Sequence, residues 1–140
     1  MKATIEKLKH LLDKAGISDL INSPVSAQDI AAWEHEHKAV IPEEIRIFLQ
    51  FSNGFRYGWG SLVIFPLDKI RFCTYWDTVP DHWLYLGSVI GDGAYLVSDE
   101  NGVLYLADHE NHDEPVSRIL LRKWIEEHTL EMIEEEYGIE

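Results

Sequence analysis

The chain has 140 residues, of which 46% are hydrophobic, and its formal net charge is −13 at pH 7. This length and apolar content suit a single domain over residues 1–140 with its own core, and they exclude a mostly disordered chain. The excess of carboxylates disfavours direct nucleic-acid binding, which needs clustered Lys and Arg, and no apolar stretch approaches the ~20 residues that span a membrane.

The start of the chain and its cysteine content favour the cytoplasm. Residues 1–7 enter a charged helical pattern directly, without the apolar region of a signal peptide. Cys73 is the one cysteine in the sequence, so no intrachain disulfide can form, as is usual in a reducing compartment. We therefore expect a soluble cytoplasmic protein.

Two amphipathic helices are predicted in the first forty residues. The first is predicted to end at Gly16, a common helix stop. Its apolar stripe consists of Ile5, Leu8, Leu11, Leu12 and Ala15. Ser26, followed three residues later by Asp29, resembles a capping box and predicts the start of a second helix that contains Ile30 and Trp33.

The segment from Glu34 to Gly54 predicts the end of the second helix, a tight connection, a third helix and a turn. Pro42 suits the first position of a helix, because its missing N–H would have no partner there. The apolar positions predicted to lie in the core are Ile41, Ile45, Phe48 and Leu49. The pair Asn53-Gly54 tolerates positive φ and therefore predicts a chain reversal.

Short runs of β-branched and aromatic residues, bounded by turn residues, predict an antiparallel sheet in the middle of the chain. The predicted strands are Leu62–Phe65, Arg71–Trp76, Trp83–Leu86, Tyr95–Ser98 and Val103–Leu106. Residues 99–102 have the composition of a hairpin turn, in which Gly102 is expected at positive φ. Residues 109–115 are predicted to form a polar loop.

A long helix is predicted from about Ser117 to Tyr137, with Gly138 ending it. Its predicted inward face consists of Leu121, Trp124, Ile125, His128, Met132 and Ile133. The last forty residues carry 11 acidic and 3 basic side chains, a net charge of −8. Together the elements predict an α+β domain with N-terminal helices, a central antiparallel sheet and a long C-terminal helix.

The sequence shows no pattern typical of catalytic or metal-binding residues. His109 and His112 are three positions apart in a predicted loop, whereas the zinc motif His-Glu-x-x-His separates its histidines by four on a helix. Residues 87–91 contain Gly and Ser but not the nucleophile motif Gly-x-Ser-x-Gly. We therefore expect no catalytic residue, no metal, no cofactor and no enzymatic activity.

An ordered set of short motifs resembles a known family. Glu34, Ile41-Pro42, Phe48-Leu49 and Asn53-Gly54 are similar, in residue type and spacing, to the N-terminal signature of the SUKH superfamily. That superfamily contains SMI/KNR-like yeast cell-wall regulators and bacterial toxin-immunity proteins. Looser similarities, from residues 65–67 to residues 108–109, extend the resemblance to about residues 26–125.

The resemblance implies a non-catalytic protein-binding domain. The function it most favours is that of an immunity protein, which neutralises a toxin domain, often a nuclease, by one-to-one binding. A regulatory or scaffold module without a toxin partner is the alternative, as the yeast members suggest. A small hydrolase or ligand-binding protein is a third interpretation, and no motif supports it.

The charge distribution predicts a basic protein partner, without nucleic acid or membrane. An acidic surface speeds encounter with basic partners, although it also serves solubility. The aromatic residues near position 58 either anchor the partner or cover the open end of the sheet. The candidate partner-binding residues are Tyr57, Trp59, His109, Glu110, Glu126, Glu127, Glu131, Glu134, Glu135 and Glu136.

Overall fold

The computed structural model describes residues 1–57, 62–74, 78–89, 94–108 and 114–139. Three helices precede the sheet: α1 (Lys2–Lys14), α2 (Ala27–His37) and α3 (Glu43–Phe51). The strands are β1 (Leu62–Ile64), β2 (Arg71–Phe72), β3 (Leu84–Val89), β4 (Tyr95–Ser98), β5 (Leu104–Asp108) and β6 (Glu114–Ile119). The C-terminal helix is continuous through α4 (Leu121–Trp124), a π-helical segment (Ile125–Leu130) and α5 (Glu131–Tyr137). Short 3₁₀ turns are formed by Ser18–Leu20 and Leu67–Lys69.

The N-terminal helices begin and end close to their predicted positions. Gly16 follows α1 with φ +74°, and the Ser26 hydroxyl oxygen accepts the Asp29 backbone N–H at 3.1 Å, which confirms the predicted cap. Pro42 is the residue before α3 rather than its first helical residue, because its ψ of 143° is extended. Its carbonyl oxygen accepts the first hydrogen bond of helical i to i−4 spacing, which the Arg46 backbone N–H donates at 2.9 Å.

The predicted antiparallel sheet is confirmed, with six strands within the described residues. The strand order is β1-β3-β4-β5-β6, and β2 also pairs with β3. Every strand pair described is antiparallel. The prediction for residues 71–76 was too long, because β2 ends at Phe72, and residues 75 and 76 lie outside the described residues.

The prediction that the C-terminal helix starts at Ser117 was wrong. Ser117 and Ile119 belong to β6 and pair with Leu106 and Leu104 of β5. Pairing with an existing strand overrides the local pattern, since β-propensity depends strongly on context. The same strand includes residues 114 and 115, which the sequence pattern assigned to a polar loop.

The two faces of the sheet contact different parts of the core. One face packs against the helices through Leu84, Leu86, Leu96, Leu104 and Leu106. The opposite face forms a smaller cluster of Cys73, Val79, Tyr85, Val97 and Ala107. The predicted core positions of the α3 region are confirmed, because Ile41, Ile45, Phe48 and Leu49 are each at most 1% exposed.

A π-helical segment changes the inward face of the C-terminal helix. Leu121, Ile125 and Ile133 are buried as predicted, and Trp124 and Met132 are half-buried against the core. Thr129 and Leu130 are also buried, which the sequence pattern did not predict, because a π-helical turn contains more residues than an α-helical turn. The side chain of His128 lies outside the described part. None of the helices described has the length and apolar content needed to cross a membrane.

The two glycines expected at positive φ adopt it. Gly54 has φ +83° and Gly102 has φ +80°, so both turn predictions are confirmed. Their surroundings differ. A Cβ added at Gly54 would lie 2.7 Å from the backbone nitrogen of Pro66, whereas its nearest contact at Gly102 would be 3.8 Å away.

Candidate partner-binding surface

The polar residues of the Glu34–Gly54 segment make intramolecular hydrogen bonds. One oxygen of the Glu34 carboxylate accepts the Ile41 backbone N–H at 2.8 Å and a hydrogen bond from the Arg46 guanidinium at 3.3 Å. The same guanidinium donates to the Ile41 carbonyl oxygen at 3.3 Å. These contacts hold the end of α2 against the start of α3.

The turn that follows α3 is held by a second hydrogen-bond network. The Ser52 hydroxyl donates to the Gly54 carbonyl oxygen at 2.6 Å and accepts the Asn22 backbone N–H at 3.0 Å. The Asn53 side-chain oxygen accepts the Leu67 backbone N–H at 2.8 Å. The turn is therefore hydrogen-bonded both to the segment before α2 and to the segment after β1.

Of the aromatic candidates, Tyr57 lies inside the fold. Its side chain is 6% exposed and belongs to the main core, and its hydroxyl donates a hydrogen bond to the Glu136 carboxylate. Burial, together with that carboxylate, raises the pKa of the Tyr57 hydroxyl above its ordinary value. Tyr57 thus ties the segment after α3 to the end of the C-terminal helix, and its role in partner binding stays a prediction. The other candidates before the final helix, Trp59, His109 and Glu110, lie outside the described residues.

The structure brings the six candidate glutamates together on the C-terminal helix. Glu126, Glu127, Glu131, Glu135 and Glu136 are exposed, and Glu134 is half-buried. Two of the six contact α1: the Thr4 hydroxyl donates to Glu126 at 2.7 Å, and the Lys7 ammonium lies 3.6 Å from Glu134. The sequence carries no signal for these contacts, because the partners are more than a hundred positions apart.

A third, Glu136, accepts the Tyr57 hydroxyl. The other three glutamates form what we call the acidic stripe: Glu127, Glu131 and Glu135. They are four positions apart, so successive members project from a similar side of the helix. Within the described part of the chain, none of the three makes an ion pair. Their carboxylates are therefore exposed to solvent, and Glu127 shares a surface depression with Arg118 and Lys123.

The charges of the C-terminal helix oppose its macrodipole. Arg122 and Lys123 lie in its first turn and Glu134–Glu136 in its last, although a helix favours acids at its N-terminus and bases at its C-terminus. A carboxylate outside the helix offsets part of this electrostatic cost. The two oxygens of the Glu44 carboxylate, on α3, accept the backbone N–H groups of Leu121 and Arg122 at 3.2 and 3.1 Å. The macrodipole therefore does not explain the glutamates at the helix end, of which Glu134 and Glu136 contact Lys7 and Tyr57.

Metal-binding and thiol chemistry receive no support from the described residues. No group of three or more His, Cys, Asp or Glu side chains among them could hold a metal ion. His109 and His112 lie outside that part of the chain. Cys73 is fully buried, and burial raises the pKa of its thiol to about 12, so it remains protonated at neutral pH.

Comparison with known families identifies one match. The profile of the SMI1 / KNR4 family (SUKH-1) matches residues 24–127. The match covers α2, α3, the sheet and the first part of the C-terminal helix, and it ends before Glu131. No curated protein sequence matches the chain.

Proposed function

The chain belongs to the SMI1/KNR4 (SUKH-1) family, and on that premise we propose that it is a non-catalytic cytoplasmic protein that neutralises a toxin domain by direct binding. The observation that carries this proposal is the acidic stripe, whose three carboxylates are exposed and make no ion pair among the described residues. The proposed partner is a basic protein surface, such as the substrate groove of a nuclease.

Electrostatics supports the binding mode. An exposed acidic face raises the rate of encounter with a basic partner, and this effect weakens as salt rises. The glutamates beyond residue 127 also lie outside the segment matched by the family profile. Family members can therefore share the fold while the end of this helix suits a particular partner.

Co-expression tests the proposal in cells. We expect this chain to restore growth of cells that produce the toxin domain encoded beside its own gene, and to inhibit that domain when both are purified. A chain that binds such a domain without protecting the cell, or a gene with no toxin beside it, would favour the alternative, a regulatory or scaffold module.

Charge reversal tests the surface. The triple variant Glu127→Lys, Glu131→Lys, Glu135→Lys should associate with the toxin domain more slowly at low salt, with a flatter salt dependence, because steering by opposite charges is lost. The matched control Asp13→Lys, Glu43→Lys, Asp81→Lys changes the net charge equally at exposed positions elsewhere. Stopped-flow rates that fall equally in both variants would show that the effect comes from net charge rather than from the acidic stripe.

A further inference from the structure

A groove of about 460 Å³ lies between α2, the segment Ser23–Val25 that precedes it, Asn53, and Leu67 with Asp68. One face of α2 forms the first wall, through Asp29, Ala32, Trp33 and Glu36, which follow the i, i+3, i+4, i+7 spacing of a single helix face. The opposite wall includes Leu67 and Asp68. The volume is typical of sites that receive a small ligand or a side chain.

Hydrogen bonds donated by backbone N–H groups hold the walls of this groove in place. The Asn53 backbone N–H donates to the Ser23 carbonyl oxygen at 3.2 Å, and the Asn53 side-chain oxygen accepts the Leu67 N–H at 2.8 Å. The Val25 N–H donates to the Leu49 carbonyl oxygen at 2.8 Å. The groove is therefore formed before any ligand binds, which lowers the entropic cost of binding.

The groove combines an acidic rim with an apolar interior. Asp29, Glu36 and Asp68 are exposed, and within the described residues none of these carboxylates makes an ion pair. The described lining contains no Lys, Arg or His. Trp33 is 7% exposed and contributes only this small exposed part of its ring to the lining, while it stacks on the His37 ring with the centroids 4.1 Å apart.

We propose that this groove receives an arginine side chain from a basic segment of a partner protein. The aliphatic part of an arginine would lie along Trp33 and Leu67, while its guanidinium would reach the carboxylates of the rim. Arginine fits better than lysine, because its planar guanidinium pairs with carboxylates through two hydrogen bonds. This surface is separate from the acidic stripe, and the inference does not depend on the partner being a toxin.

A short peptide provides the test. The probe is an acetylated, amidated Gly-Gly-Arg-Gly-Gly peptide, titrated at low salt into the isotope-labelled full chain while backbone amide shifts are recorded. We expect saturable shifts along the α2 face and at Leu67 and Asp68. The same peptide with citrulline, the neutral isostere of arginine, should bind about tenfold more weakly, because the exposed charge pairs are lost. The lysine peptide should bind with intermediate affinity.

Two variants connect binding to the groove. The affinity for the arginine peptide should fall about tenfold in the triple variant Asp29→Asn, Glu36→Gln, Asp68→Asn. It should stay within about twofold in the matched triple variant Asp13→Asn, Glu43→Gln, Asp81→Asn. In that control Glu43, like Asp29, lies in the first turn of a helix. Ala32→Lys places a cation in the groove at an exposed helical position, and it should abolish the shifts while leaving the fold intact.

Several results would overturn the inference. Equal affinity for the arginine and citrulline peptides would show that charge does not select the ligand. Shifts confined to the acidic stripe, or equal losses in both triple variants, would assign the binding to general electrostatic attraction. None of these results bears on toxin neutralisation, which is measured with a different partner and at a different surface.

Discussion

The segment from Glu34 to Gly54 and the C-terminal helix both carry acidic side chains, but the surroundings of Glu34 differ from those of the acidic stripe. In the first, the Glu34 carboxylate receives hydrogen bonds from Ile41 and Arg46, and the Asn53 side chain holds the Leu67 backbone. In the second, the acidic stripe stays in solvent and the charges oppose the helix macrodipole. The shared family motif therefore supports the fold, while the partner recognition that we propose would be encoded elsewhere.

The extent of the family match agrees with this division. The profile includes the whole Glu34–Gly54 segment and ends at residue 127, so of the acidic stripe it contains Glu127 but neither Glu131 nor Glu135. Substitutions at the hydrogen-bonded and buried positions of the Glu34–Gly54 segment should therefore reduce stability, and substitutions in the acidic stripe should not.

The largest loss of stability is expected for Phe48→Ala. Phe48 is 1% exposed and contacts the rings of Phe51 and Phe55, with centroids 5.6 and 6.0 Å away. Removing a buried aromatic ring should lower the free energy of unfolding by about 3–5 kcal/mol, which denaturant titration measures. The control Val40→Ala, at a side chain that is 65% exposed, should change it by less than about 0.5 kcal/mol.

Gly54→Ala should cost more stability than Gly102→Ala, although both glycines have positive φ. The conformational penalty is about 1–2 kcal/mol for each. At Gly54 the added Cβ would also lie 2.7 Å from the Pro66 nitrogen, which should add about 1–3 kcal/mol. Thermal and denaturant unfolding measure the two losses. If the two variants lose the same free energy of unfolding, the close approach to Pro66 is unimportant.

Glu34→Ala should lower the free energy of unfolding by about 1.5–3 kcal/mol. The substitution removes the acceptor of the Ile41 N–H and of the Arg46 guanidinium, and hydrogen bonds to a charged group contribute about this much. Glu36→Ala, two residues further along the same helix and exposed, should have an effect below about 0.5 kcal/mol. Similar losses for the two variants would argue against a specific role of Glu34 in the joint between α2 and α3.

The smallest change in stability is expected for reversal of the acidic stripe. Glu127→Lys, Glu131→Lys, Glu135→Lys should alter the free energy of unfolding by less than about 0.5 kcal/mol per substitution, because none of the three side chains makes an ion pair in the described structure. At position 135 the new positive charge, in the last turn, also agrees better with the macrodipole. A large loss of stability would mean that the stripe supports the fold, and it would remove the contrast between the two regions.

Local features of this chain were predictable from the sequence because their causes lie within a few residues. The Ser26 cap, the positive φ of Gly54 and Gly102, and the buried stripe of α3 all follow from spacing and residue type. The antiparallel sheet also followed, since its strands come in succession without intervening helices. The resemblance to the SUKH signature relied on the same local features.

The tertiary structure decided what depends on distant partners. Ser117–Ile119 form a strand because β5 lies beside them, and the Glu44 carboxylate caps a helix that begins 77 positions later. The burial of Leu130 depends on the π-helical segment, and that of Tyr57 on the surrounding core. Hydrogen bonding and burial between residues far apart in sequence depend on the completed fold, so no local pattern could have indicated them. The groove beside α2 arose in the same way: its helical wall has a readable spacing, but its opposite wall is brought there by the Asn53-Gly54 turn.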